Sequence, residues 1–320
     1  MRRALAGLTV VAALASLGGC GLADRVVVIR EAPIEVTTGG FFPPAAAEAI
    51  ATRVLGDAAI AMANPDAKAM EVLTGPALRL AEVDRKFALP PADVFEAPSA
   101  PVVLAVTAGR NWPRAILATS ARAGVQSLHV LVSTSATSPF KLWASVPMEP
   151  GAALPALPPL AEGTTMPTDG AGRVASATQI FEAYADQLDV PAITARSGIV
   201  GVKDAFATGL DASSAAQVKA LGKLGTLSRV NRVTDDVLAF RLADGAVAAF
   251  GQMTRTDLLK PTSAAKRLDL PNDLATLSGK KSVTKSLELA WLETMVVVIP
   301  KAGAATVIGV EERMRGIVAR

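Results

Sequence analysis

From Pro44 onward, hydrophobic positions recur every three to four residues. Ile50, Val54, Ala58, Ala61 and Met62 share one face, while Arg53 and Asp57 are spaced to pair on the polar side. This pattern predicts an amphipathic helix that starts on a proline. Asn64-Pro65 and Gly75-Pro76 read as two further helix starts, the second leading into Leu78, Leu80, Val83 and Phe87. After the proline-rich residues 90–101 the period changes. Runs at 102–107, 114–120, 127–134 and 140–148 are rich in β-branched and apolar side chains. Gly109, Asn111, Pro113, Gly124 and Ser138-Pro139 lie in the short connections between them. These runs predict a four-stranded antiparallel meander.

The order then repeats. Residues 150–172 are dense in Pro, Ala, Gly and Thr without a usable period, and residues 161–174 read as a linker. Ser176-Ala177-Thr178-Gln179 is a capping-box pattern ahead of Ile180, Phe181, Tyr184 and Leu188. Helical segments at 203–209 and 212–224 precede strands at 226–233, 237–243, 246–258, 283–299 and 306–318. Asp244-Gly245 and Lys301-Ala302-Gly303 mark turns. The expected class is α+β used twice, in residues 44–160 and 175–320, each with helices followed by a curved antiparallel sheet. This shared order resembles the NTF2-like cone fold, and the resemblance implies two tandem cone-shaped domains.

The chain before residue 44 is patterned differently. Arg2 and Arg3 precede an apolar run at 4–17 that ends in Leu17-Gly18-Gly19-Cys20. A basic head, a short apolar segment and small residues before a cysteine are the parts of a lipoprotein export signal. Residues 1–19 are therefore expected to be removed, leaving Cys20 acylated and the chain held to the membrane by its lipid. Residues 20–43 read as a tether, in which Val26-Val27-Val28-Ile29 is either an edge strand or part of a disordered stalk. The expected location is the cell envelope, at the outer face of the cytoplasmic membrane.

Three stretches narrow the reading: Leu73-Thr74-Gly75-Pro76-Ala77-Leu78-Arg79, Trp112-Pro113-Arg114, and Ser138-Pro139-Phe140-Lys141-Leu142-Trp143-Ala144-Ser145-Val146-Pro147. Together they resemble a family of uncharacterised actinobacterial secreted lipoproteins. That family implies the fold and the address, and it assigns no residue a role.

Charge and composition then exclude several functions. Without residues 1–19 the chain carries 30 basic and 29 acidic residues, which gives phosphate backbones little to attract, so no nucleic acid partner is expected. With one cysteine, Cys20, and one histidine, His129, neither an intramolecular disulfide nor a common zinc site is expected. Ser127 and His129 share a strand face two residues apart, beyond the reach of a serine–base pair. The matches to S-x-x-K at Ser138, Ser263 and Ser282 lack the K-T-G that accompanies that motif in penicillin-binding proteins. No catalytic residue, metal or cofactor is expected. The leading expectation is a non-enzymatic lipoprotein acting as a scaffold or interaction module with an envelope protein partner. The alternative is a carrier of lipid or a small apolar ligand in a cone pocket, lined by Phe140, Leu142 and Trp143 or by Phe250 and Trp291.

Overall fold

A computed structural model describes residues 39–63, 66, 68–87, 100–191, 198–201 and 204–320. The signal segment, Cys20, Val26-Val27-Val28-Ile29 and Asn64-Pro65 lie outside the described residues. Helix α1 (Pro44–Ala63) buries Ala47, Ala51, Val54, Leu55, Ala58, Ala61 and Met62, and Arg53 meets Asp57 at 3.3 Å on its exposed side. A short 3-10 turn at Ala69–Val72 leads into α2 (Gly75–Phe87). Four strands follow: β1 (Val102–Val106), β2 (Arg114–Arg122), β3 (Val125–Ser133) and β4 (Lys141–Pro147). They form an antiparallel sheet in chain order.

Helix α3 (Ala177–Leu188) begins at the expected capping box. Gln179 N–H donates to Ser176 Oγ at 3.3 Å, and Ser176 N–H donates to Gln179 Oε1 at 3.0 Å. The two short helical segments expected next are a single helix, α4 (Ala205–Leu221), capped by Asp204. Gly209 and Asp211 read as a break in the sequence, but buried Leu210 and Ser214 hold the helix continuous. The two strands expected at 226–243 are likewise one, β5 (Gly225–Arg241), and the polar residues between them form a bulge. Thr234 Oγ1 donates to the Gln252 carbonyl at 2.9 Å and fixes that bulge in the ladder.

β6 (Val247–Pro261) pairs with β5. The small hairpin of β7 (Leu268–Asp269) and β8 (Ser282–Val283) encloses α5 (Asn272–Ser278), and these elements carry no strong periodic signal. The expected strand at 283–299 divides into β8 and β9 (Leu287–Ile299), because the N–H groups of Thr284, Lys285 and Ser286 turn to the Arg320 carbonyl. β10 (Thr306–Ala319) closes the second sheet, whose order is β10-β9-β6-β5.

The fold is mixed α+β with two open antiparallel sheets. Alternation along the strands sends side chains to two different cores. On β2 and β3, Ile116, Ala118 and Leu131 face α1 and α2, whereas Leu117, Leu128 and Val130 enter the layer between the sheets. On β6, β9 and β10, Phe250, Val296 and Ile308 enter that same layer, whereas Ala249, Met295 and Val307 pack under α3 and α4. The result is four layers, helix, sheet, sheet, helix. Residues Thr38–Arg320 form one compact unit, and the halves at 44–160 and 175–320 share the central apolar layer.

Residues 161–174, read as a linker, are hydrogen-bonded to both sheets. Thr164 N–H donates to the Val106 carbonyl at 2.8 Å, and the Thr164 carbonyl accepts from Ala108 N–H at 2.7 Å. One residue on, Arg241 N–H donates to the Thr165 carbonyl at 3.0 Å. This segment therefore fixes the geometry between the halves. At the other end of the interface Met148 bridges Gly309, and Glu149 N–H donates to the Ile308 carbonyl at 2.9 Å.

Candidate functional site

Where the linker segment crosses from the first sheet to the second it leaves a cavity of about 490 Å³. That is the size of an ordinary small-ligand site. Four parts of the chain build it. The β1–β2 loop contributes Asn111, Trp112 and Pro113, and the crossing segment contributes Thr164 and Thr165. The first turn of α3 contributes Thr178, and β5 contributes Val237, Leu238 and Ala239. Thr107, just beyond β1, and Thr168 complete its hydroxyl groups. Among the described residues the lining contains no ionisable side chain.

The Trp112 ring is held in place. The Arg114 guanidinium sits 4.1 Å from its centroid and also over the Phe41 ring. Arg114 Nη2 donates to the Arg110 carbonyl at 3.3 Å, which anchors the cation from the other side. A cation stacked on an aromatic face lowers the freedom of both groups, so Trp112 is presented as a rigid wall.

A second polar region lies inside the protein. The strands of the second sheet are 13 to 17 residues long and those of the first 5 to 9, so the second sheet runs on past its partner. On the overhang, the face turned toward α3 carries a chain of ion pairs. Arg229 Nε meets Asp257 Oδ1 at 2.6 Å, and Arg255 Nε meets Asp257 Oδ2 at 3.1 Å. Arg255 Nη1 reaches Glu293 Oε1 at 2.5 Å and Glu312 Oε2 at 2.9 Å, with the Trp291 ring beneath the guanidinium. Asp189, at the end of α3, accepts from Asn231 N–H and Nδ2 at 2.7 and 2.8 Å. Burial pushes the Glu293 carboxyl up to about 7 despite Arg255, and its Oε2 has no partner among the described residues.

On the opposite face Arg313 lies between Glu311 at 3.2 Å and Asp84 of α2 at 3.5 Å. Burial pushes Glu311 up to about 7 and raises Asp84, with Arg313 opposing both shifts. None of these charged side chains lines the cavity. Their geometry suits them to holding α2, α3 and the overhanging sheet together.

His129 is buried, with Nε2 at 2.8 Å from Ser120 Oγ and Nδ1 at 3.0 Å from Ser145 Oγ. Ser127, the neighbour weighed in the sequence, is not its partner. The hydroxyls that satisfy the ring come from adjacent strands, which only the register reveals. Burial lowers the imidazole to about 4, so at neutral pH it is an uncharged and weak base.

The side chains expected to line a pocket, Phe140, Leu142, Trp143, Phe250 and Trp291, are not among those of this cavity. Phe140 and Leu142 belong to the core beneath α1. Trp143 and Phe250 belong to the layer between the sheets. Trp291 pairs with Arg255 on β6 and lies on the other face of the sheet from Phe250. The faces of both sheets that meet the helices are filled by apolar side chains and, on the overhang of the second sheet, by the ion pairs, and the cavity opens at the junction instead. The cavity residues missed in the sequence are the threonines of the crossing segment, which read there as linker composition.

Two stretches that carried the family resemblance meet in space. Leu73 bridges Leu142, Thr74 N–H donates to the Leu142 carbonyl at 2.9 Å, and Gly75 packs against the Trp143 ring. Gly75 has a φ of 55°, and a Cβ there would fall 2.5 Å from Trp143 Nε1, so the position requires glycine. Comparison with family models, curated proteins and solved structures found no match. Among the described residues no helix is long and apolar enough to cross a membrane.

Proposed function

We propose that this chain is a non-enzymatic envelope lipoprotein, held at the outer face of the cytoplasmic membrane by acylated Cys20, that works as a binding module. The observation that carries the binding role is the cavity of about 490 Å³ at the junction of the sheets, assembled from four segments and free of ionisable side chains among the described residues. A preformed concavity with neutral polar groups and a fixed aromatic wall fits recognition of a small uncharged molecule better than acid–base chemistry. The anchor rests on Arg2, Arg3, the apolar run and Cys20. The order of helices before a four-stranded antiparallel sheet in each half supports reading the halves as two successive NTF2-like units.

The test is native mass spectrometry of the full-length protein released from the envelope of its host. A reproducible added mass should accompany the wild-type chain and be lost in Thr178→Trp, whose larger side chain fills the cavity. A bare protein mass in both refutes the ligand site and leaves capture of an envelope protein partner as the module's work. The anchor is checked separately. Cys20→Ala should abolish incorporation of labelled palmitate, and unchanged labelling refutes the assignment.

A further inference from the structure

From the hydrogen-bonding groups in its lining, we infer that the junction cavity binds a neutral saccharide; this rests on the reading of the cavity as the ligand site. Three lining threonines are partly committed to the protein, and what each has left is defined. Thr107 Oγ1 accepts from Ala115 N–H at 3.1 Å, and Thr165 Oγ1 accepts from Arg241 Nε at 3.2 Å. Both hydroxyls keep a proton to donate. Thr164 Oγ1 instead donates to the Arg241 carbonyl at 2.7 Å and keeps lone pairs to accept. Thr168, Thr178 and Asn111 also line the cavity and make no side-chain hydrogen bond to other described residues, so they offer both roles.

The site thus presents donors and acceptors together, without net charge. An apolar ligand would desolvate these groups and leave each one it buries unpaired. A phosphate or carboxylate would need donors and a compensating cation, and no lining side chain supplies that charge. Sugar hydroxyls both donate and accept, and the C–H face of a pyranose ring packs on an aromatic surface. Trp112 supplies that surface, with Arg114 covering one of its faces and holding the ring still. Five threonines and Asn111 in one lining with a fixed aromatic ring are what distinguish this cavity from an apolar carrier pocket.

The test uses full-length protein in phosphatidylcholine nanodiscs and isothermal titration. The probes are neutral glucose, galactose, mannose and arabinose oligosaccharides, with uncharged 1-octanol as the apolar comparison. At least one neutral saccharide should bind, with affinity reduced tenfold or more by Trp112→Ala and by Thr178→Val. Thr178 is exposed, so its variant keeps the wild-type melting temperature and separates lost binding from lost folding. Binding of 1-octanol alone, weakened by Thr178→Trp, overturns the saccharide assignment while keeping the cavity as a ligand site. No binding by any probe, with no mass retained by the native protein, overturns both.

Discussion

Arg255 Nη1 lies 2.5 Å from Glu293 Oε1, joining diagonal positions on β6 and β9 with 3% and 0% of their side chains exposed. The same guanidinium holds Asp257 and Glu312, so one cation organises three carboxylates in the overhanging half of the second sheet. Buried pairs are costly to break because the remaining partner keeps its desolvation penalty. Arg255→Met should lower unfolding stability by about 3–5 kcal/mol. Glu293→Gln should cost clearly less, because the raised Glu293 carboxyl is already partly protonated at pH 7. Urea denaturation of both variants checks this, and equal losses would contradict it.

Glu311 and Glu293 also set a pH dependence. Each carboxyl is raised to about 7 in the fold, against about 4.3 for a free glutamate. Between these values the folded chain holds protons that the unfolded chain has released, so stability falls as pH rises from about 4.3 through 7. The melting temperature should therefore be higher at pH 6 than at pH 8, and Glu311→Gln should shrink that difference. A melting temperature that climbs from pH 6 to pH 8 would refute the assignment of these shifts.

His129 acts with the opposite sign. Its imidazole is lowered to about 4, so below about 6.5 the unfolded chain gains a proton that the fold refuses, and stability is lost as pH falls toward 4. Because it is the one histidine in the chain, its ring resonances need no assignment by mutation. An NMR titration of the folded protein should show no midpoint near 6.5.

Gly309 marks where β4 meets β10. A Cβ there would lie 2.5 Å from the Pro147 carbonyl oxygen and 3.0 Å from Val296 Cγ1. Gly309→Ala should destabilise by about 1–3 kcal/mol through overpacking of the sheet junction. Gly209→Ala, in the interior of α4 with nothing within 4 Å of the new Cβ, should instead stabilise by about 0.5–1 kcal/mol. Thermal melts of the two variants should move in opposite directions.

Much of the fold was legible along the chain. The face of α1, the capping box at Ser176 and the first four strands all follow from local periodicity or local hydrogen bonding. The misread elements share a cause. Gly209-Leu210-Asp211 and Thr234-Asp235-Asp236 look like breaks, yet α4 and β5 continue through them because packing and the ladder to β6 outweigh local preference. For α5 and β7 there was no period to read. The junction cavity was hidden because it is made by residues more than one hundred positions apart, from Thr107 to Ala239.

By itself, the sequence determined the alternation of helix and strand, the near balance of charge and the scarcity of histidine and cysteine. These depend on residue type and on neighbours within a turn or a ladder step. Tertiary structure decided which face of each strand meets a helix and which meets the other sheet. It also decided that buried arginines and carboxylates neutralise one another, and that a threonine-rich crossing becomes the wall of a cavity. Those outcomes come from register and from the packing of distant surfaces, which no local pattern encodes.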